Sequence, residues 1–216
     1  MKFSEDTLSV LKNFSQINPS VLFKPGNVIR TISPQKTVMA SAVVSDTFDK
    51  PAGVYDLSRF HATLGLFTDP DIEFTENKFI IKANKSVVNY TYAAENMIVT
   101  PPEKEITYNE PTATVNLKWD DLTNVIRAAS VLQLPEVAFV SDGTTISLNA
   151  VDKKNPTADK YNITLDDSVT SGVSFEMVIK VDNLKLMPGD YKVNLCSNGL
   201  AHFIGEKVQY WIAISV

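Results

Sequence analysis

Phe3-Ser4-Glu5-Asp6-Thr7-Leu8-Ser9-Val10-Leu11-Lys12-Asn13-Phe14-Ser15-Gln16-Ile17 is the stretch on which the fold turns, because its pattern returns later in the chain. Ser4 is placed to cap a helix, and Glu5 and Asp6 follow in the first turn, where the helix dipole favours negative charge. Leu8, Leu11, Phe14 and Ile17, with Val10 beside them, gather on one side at the 3.6-residue period; Glu5, Ser9, Lys12, Asn13 and Gln16 lie opposite. Asn18-Pro19 ends the run. At a constant offset, Phe3-x-x-Asp6-x-Leu8 matches Leu117-x-x-Asp120-x-Leu122. There Leu122, Val125, Ile126, Ala129 and Leu132 form a second stripe, with Thr123, Asn124, Arg127 and Ser130 on its other side.

Short β-branched runs follow each of these helices. In the first half they are Val21 to Phe23, Val28 to Ile32, Val38 to Val44 and Gly53 to Tyr55, separated by turn residues. A helix capped by Asp56 comes next, with Leu57, Phe60, Leu64 and Phe67 on one face, and then strands at Ile72 to Phe74, Phe79 to Lys82 and Val87 to Tyr92. The second half repeats the order. Its strands are Val137 to Val140, Thr145 to Ala150, Tyr161 to Leu165 and Phe175 to Ile179. A short helix or turn over Asp182 to Met187 is stopped by Pro188-Gly189. The last strands are Tyr191 to Leu195, Ala201 to Ile204 and Val208 to Ile214. Two copies of helix, strands, helix, strands point to an internal duplication in an α+β fold. Three prolines between 96 and 112 disfavour helix there. The expected division is 1–97, a connector over 98–112, and 113–216.

The chain has 216 residues, enough for two domains of about 100 each. A hydrophobic share of 44% with 21% charged residues is that of a globular protein with a sizeable core. No apolar run approaches the ~20 residues of a membrane span, and the polar N-terminus lacks a signal-peptide pattern, so no membrane and a cytosolic setting are expected. The single cysteine, Cys196, builds neither a disulfide framework nor a zinc site. Enzymatic signatures are wanting: His61 and His202 lie in different halves, Asp120-Asp121 are explained by a first helical turn, and Asp166-Asp167 reads as a turn. Glycine-rich phosphate loops, nucleophile turns and calcium loops do not occur. The expectation is a non-enzyme without cofactor or metal.

The net charge of -5 argues against bulk electrostatic attraction to nucleic acid, yet says nothing of how charge is distributed. Lys12, Arg59, Arg127 and Lys185 each fall on one of the four expected helices, off the apolar stripe, and Lys2 and Lys118 lie at or just before two helix starts. Two readings fit. Such charges are routine on a solvated helix face; alternatively, helices sharing one side of a curved sheet would join them into one basic surface. The connector's Met97, Ile98, Val99, Ile106 and Tyr108 either pin a linker or help line a groove for a partner peptide.

Met1-Lys2-Phe3-Ser4-Glu5-Asp6-Thr7, Leu11-Lys12-Asn13-Phe14, Tyr55-Asp56-Leu57-x-x-Phe60 and Asn183-Leu184-Lys185-Leu186-Met187-Pro188-Gly189-Asp190-Tyr191-Lys192, followed by Phe203-x-Gly205-Glu206, resemble the sliding clamps of T4-type bacteriophages in register over essentially the whole chain. The resemblance is loose over about 68–115. It implies a DNA-clamp fold of two similar domains, each with two helices packed on antiparallel sheets. It also implies a homotrimer closed head to tail into a ring around double-stranded DNA, conferring processivity on the replicative polymerase in the host cytoplasm. By resemblance, Lys2, Lys12, Arg59, Lys118, Arg127 and Lys185 face DNA, although Glu5 adds an acid beside the presumed hole. The subunit edges fall at Val88, Tyr90 and Tyr92 and at Tyr161, Ile163 and Leu165. A groove for the DNA polymerase C-terminal peptide is expected from Val38, Ala40, Met97, Ile98, Val99, Tyr108, Tyr210 and Trp211. A clamp-loader ATPase and late-transcription factors are the further implied partners. The rival expectation is a non-enzymatic viral structural or assembly protein.

Overall fold

The computed structural model describes residues 1–104, 106–108, 110–165, 168–170 and 172–215. Contacts divide the chain into two compact units, Met1–Glu103 and Lys104–Val216. The Asp166-Asp167 turn expected from the sequence lies outside the described residues.

The first unit runs α1 (Glu5–Phe14), β1 (Val21–Phe23), β2 (Gly26–Ile32), β3 (Val38–Phe48), β4 (Ala52–Val54), α2 (Leu57–Leu64), β5 (Asp71–Phe74), β6 (Lys78–Ala83) and β7 (Ser86–Thr91), followed by a single 3-10 turn at Glu95–Met97. Thr7, Val10, Leu11 and Phe14 form the buried stripe of α1, at the spacing that puts them on one helix face. The helix ends at Phe14, three residues earlier than the apolar pattern suggests, and Ile17 is buried from the turn beyond. α1 packs on β3 and against α2. β1 pairs with β4, β2 with β3, and β6 lies between β5 and β7, all antiparallel.

Aromatic rings fill this unit. Phe79 on β6 is fully buried, with ring centroids 4.6 Å from Tyr92, 4.8 Å from Phe74 and 4.9 Å from Phe60. Phe23, Phe48 and Phe3 extend the cluster. Such edge-on and tilted pairs add to the area each ring removes from water.

The second unit runs β8 (Ala113–Leu117), α3 (Trp119–Val131), β9 (Glu136–Asp142), β10 (Ile146–Val151), β11 (Tyr161–Leu165), β12 (Ser168–Thr170), β13 (Ser174–Lys180), a 3-10 turn at Val181–Asn183, β14 (Tyr191–Cys196), β15 (Leu200–Ile204) and β16 (Val208–Ala213). β9 is flanked by β10 and β13, and β11 pairs with β10. β14, β15 and β16 form a meander, with β8 on the far side of β14 and β12 beyond it. α3 packs on β9, β10 and β11.

The two pairing diagrams correspond in part. β1–β4 and β2–β3 correspond to β9–β13 and β10–β11, and β5-β6-β7 corresponds to β14-β15-β16. The duplication read from sequence is thus present in the strand pairing. One element differs from expectation: among the described residues the second unit has one α-helix, not two. The place of the second is taken by the 3-10 turn, after which Leu184 and Leu186 are both buried with Lys185 between them less so. Burial at a spacing of two is the signature of extended chain, and Pro188 prevents a helix from continuing.

The start of α1 is tied to the sheet by two carboxylates. The Asp46 carboxylate accepts from the Ser4 amide (2.8 Å) and hydroxyl (2.7 Å), and Asp6 accepts from the Ser45 amide (3.0 Å) and hydroxyl (2.8 Å). The Ser4 hydroxyl, then the donors of Ser45 and the Thr7 amide, hold the Asp6 carboxyl down to about 2. A carboxyl lowered on folding stabilises the fold above its unfolded range, and that contribution is lost as pH falls from about 4 through about 2. Asp6→Asn is therefore expected to cost about 1 kcal/mol at pH 7, after allowance for partial exposure. The difference from wild type narrows as pH falls through that window. Urea unfolding at matched chain concentration and two pH values measures it.

Candidate functional site

On the first unit, α1 and α2 each keep one face in solvent. Glu5, Ser9, Lys12 and Gln16 are exposed around α1, as are Ser58, Arg59 and His61 on α2. Lys12 stands in the last turn of α1. Arg59 follows the Asp56 cap of α2, whose carboxylate accepts the Arg59 amide at 2.8 Å. Lys2 is paired with Asp69, both side chains half-exposed. On the second unit, Arg127 and Asn124 are exposed on α3. Lys118, at the N-cap of α3, pairs with Asp190 at 3.4 Å, and Asp190 also accepts the Trp119 amide at 2.8 Å. Lys185 lies on no helix, which corrects the expectation of one basic residue on each of four helices; it sits in the extended segment between buried Leu184 and Leu186. Among the described residues, Lys12, Arg59 and Arg127 have no ion-pair partner. Glu5 and Asp120 are exposed on the same helices, so the helix faces are mixed in charge.

The strands expected to bear subunit contacts are edge strands within their units. Among the described residues, β7 has a partner only in β6, and β11 only in β10. Val88, Tyr90 and Tyr92 are half-buried, as are Tyr161 and Ile163, while Leu165 is buried. Tyr90 donates its hydroxyl to the Asp56 carbonyl at 3.3 Å and, with Arg59, lines a hollow of about 470 Å³ beside β7.

The residues expected to form a peptide groove divide by burial. Val38, Ala40 and Ile98 are buried, whereas Met97 is 59% and Val99 44% exposed. The segment is held down by Asn18, whose amide donates to the carbonyls of Val99 (3.1 Å) and Ile32 (2.9 Å). Gly53 is needed for this seating: a Cβ there would stand 2.5 Å from the Ala93 carbonyl oxygen and 2.7 Å from the Ile98 side chain. On the second unit Tyr210 is fully buried and its hydroxyl accepts the Met187 amide at 3.0 Å, so its side chain belongs to the core and not to a groove. Trp211, the next residue, points to the other face of β16 and stacks on His202 with centroids 4.6 Å apart and planes at 11°.

His202 organises that face, a role its strand position alone does not announce. Its Nε2 lies 2.9 Å from Gln209 Oε1, which assigns the proton to Nε2 and leaves Nδ1 to accept the Tyr108 hydroxyl at 2.6 Å. Asn194 donates to the same Tyr108 oxygen at 3.0 Å. Burial pushes the imidazole below its ordinary range, against the opposing hydrogen bond to Gln209, so the neutral form this network needs is the favoured one. His202 stands opposite Trp211 in the β15–β16 register, which brings the two rings together. No group of three His, Cys, Asp or Glu side chains suited to a metal ion occurs among the described residues, and no described helix is long and apolar enough to cross a membrane.

Two family models cover nearly the whole chain: the DNA polymerase processivity factor over residues 4–100, and the gp45 sliding clamp C-terminal region over 114–216. The sliding clamp of Escherichia phage RB69 is 34% identical over 99% of this chain and 96% of its own length. The chain belongs to the sliding-clamp family. The sliding clamp of Enterobacteria phage T4 is 33% identical with the same coverage, and that of Vibrio phage KVP40 is 28% identical. The clamp fold extends to more distant structures. The A. fulgidus PCNA, solved with the C-terminal region of FEN-1, matches with a TM-score of 0.74 at 16% identity over 100% of this chain and 97% of that one. The Entamoeba histolytica PCNA matches with a TM-score of 0.72 at 10% identity, covering 100% and 98%. As a sliding clamp, the chain acts in phage DNA replication as a polymerase processivity factor.

Proposed function

We propose that three copies of this chain close head to tail into a ring around duplex DNA and tether the replicative polymerase to it. The observation that carries this reading is the pair of edge strands, β7 in one unit and β11 in the other, within a duplicated pairing diagram. An edge on each unit suits a heterologous contact, and such contacts form a closed ring when the rotation between copies closes. Pairing β7 of one copy with β11 of the next would also cover unpaired backbone groups. The contacts assigned to Val88, Tyr90, Tyr92, Tyr161 and Ile163 follow from this.

Inside such a ring the phosphates would meet Lys12, Arg59 and Arg127, with Lys2, Lys118 and Lys185 contributing less because the first two already hold carboxylates. Few, weak phosphate contacts hold a duplex without reading its sequence, and topology supplies the retention that affinity does not. For the polymerase C-terminal peptide, the first unit offers Met97 and Val99 and the second unit, by itself, Tyr108 and Trp211; the proposed division is domains 1–97 and 113–216 with a connector over 98–112. Loading by an ATPase, coupling to late transcription, and action in the host cytoplasm complete the reading. The chain itself performs no catalysis in it.

The test is retention on DNA of two topologies. Chain loaded by its clamp loader onto nicked circular plasmid is expected to stay bound through gel filtration, and to be lost when one cut linearises the plasmid. Equal retention on circular and linear DNA would show binding by affinity and end the encirclement reading.

A further inference from the structure

One row of side chains crosses the outward face of the second unit's sheet. Thr114 on β8 stands opposite Asn194 on β14, Asn194 opposite His202 on β15, and His202 opposite Trp211 on β16. Tyr108, from the segment that leads into β8, lays its hydroxyl on this row.

The hydrogen bonds along the row run in one direction. The Thr114 hydroxyl donates to Asn194 Oδ1 at 3.0 Å, and the Asn194 amide nitrogen donates in turn to the Tyr108 oxygen, also at 3.0 Å. The Tyr108 proton goes to His202 Nδ1 at 2.6 Å, and Nε2 donates on to Gln209 Oε1 at 2.9 Å. A reversed Asn194 could take the Tyr108 proton, but it would give up the bond from Thr114. Nδ1 can accept only while the imidazole is neutral. A proton there sets two donors, from His202 and Asn194, against the Tyr108 oxygen and takes away the acceptor of its hydroxyl. Leaving a buried donor unmet costs more than the bond itself contributes. The stack on Trp211 survives the proton, because an aromatic face attracts a cation.

We infer that His202 is the positioning residue of the segment entering β8: its neutral imidazole, accepting at Nδ1, fastens Tyr108 to the sheet, and a proton there releases it. Tyr108 is the titratable group in contact with the ring. Lys192 lies two positions before Asn194 on β14, Glu206 and Lys207 are in the turn between β15 and β16, and Lys104 and Glu110 flank Tyr108; all five are exposed. β8 and β16 carry no charged residue. Burial favours the neutral ring, so the segment is fastened at neutral pH and released on the acid side. The fastening lies wholly within the second unit and depends neither on ring closure nor on what docks beside Tyr108.

Long-range proton–nitrogen correlation NMR on the full chain, with histidine nitrogens labelled, reads the tautomer and titration of His202, and exposed His61 on α2 serves as the internal reference. The proton is expected on Nε2 at pH 7. Tyr108→Phe keeps the ring and removes the donor, so the His202 midpoint should rise by about half to one pH unit while that of His61 stays in place. Release is read from hydrogen-exchange protection of the Thr112 amide, which donates to the Leu195 carbonyl at 2.8 Å where the segment meets the sheet. Protection is expected to fall at least about threefold in Tyr108→Phe and in His202→Phe, with no further fall in the double variant. In wild type it should fall as pH drops through the His202 midpoint. A proton on Nδ1 at pH 7, a midpoint unmoved or lowered in Tyr108→Phe, or Thr112 protection indifferent to the charge on His202 would each overturn the assignment. The wild-type titration and Tyr108→Phe decide the matter even where His202→Phe fails to fold.

Discussion

Lys12→Glu combined with Arg127→Glu is expected to shorten the products of the cognate polymerase on primed single-stranded template by roughly an order of magnitude, with the fold intact. Both side chains are exposed on α1 and α3, and neither has an ion-pair partner among the described residues, so no internal contact is lost. Each swap replaces an attractive phosphate contact by a repulsive one. Because Glu5 and Asp120 already lie on the same helices, the faces have little positive charge in reserve. The salt dependence of product length should flatten as well, since fewer counterions are released on contact. Unchanged lengths at low and moderate salt would remove both residues from the DNA-facing set, and unaltered circular dichroism would confirm that folding is not at issue.

Phe79→Ala is the most damaging single substitution foreseen in the first unit, with a loss of about 3–5 kcal/mol. The ring is fully buried and touches Phe23, Phe60, Phe74, Tyr90 and Tyr92. The cavity left behind is walled by strands on both sides, because β6 is the middle strand of its sheet, and it cannot collapse without moving one of them. Tyr90 and Tyr92 lose their inner support, so the β7 edge should loosen and self-association weaken together with stability. Both tryptophans, Trp119 and Trp211, lie in the second unit, so circular dichroism in a urea titration is the probe that sees the first unit unfold. A loss below about 1 kcal/mol would mean that the aromatic cluster repacks.

The architecture was legible in the sequence because its helices are strongly amphipathic and its strands short and β-branched. Val10, Leu11 and Phe14 of the first stripe and Leu57, Phe60 and Leu64 of the second are buried as read, whereas Leu8 is half-buried and Asn13, read on the polar side, is buried. Three features resisted reading. β8 has a clean alternation, with Ala113, Val115 and Leu117 inward, but it abuts the α3 start so closely that Leu117 reads equally well as a helix lead-in. Leu184 and Leu186 sit beside Lys185 in a run that resembles a helix, and only burial at a spacing of two shows it to be extended. Tyr210 and Trp211 are adjacent in sequence and lie on opposite faces, one in the core and one against His202. Their division depends on strand register, which is set by non-local pairing with β15.

The candidate site was less legible than the fold for a related reason. Exposed cations on helices carry no local mark that separates a DNA-facing face from a solvated one. Lys2 and Lys118 look equivalent to Lys12 in the sequence, yet each is engaged by an aspartate some 70 positions away. The Tyr108–His202 hydrogen bond joins residues 94 positions apart and could not be foreseen from either neighbourhood.

The most direct test of the encircling ring is the solution mass of the chain, by light scattering coupled to gel filtration across a range of concentrations. The predicted result is a species near three times 23.9 kDa that dissociates on dilution, as expected for copies joined through strand edges. A monomer that persists at high concentration would contradict the ring and leave the edge strands β7 and β11 without the partner proposed for them.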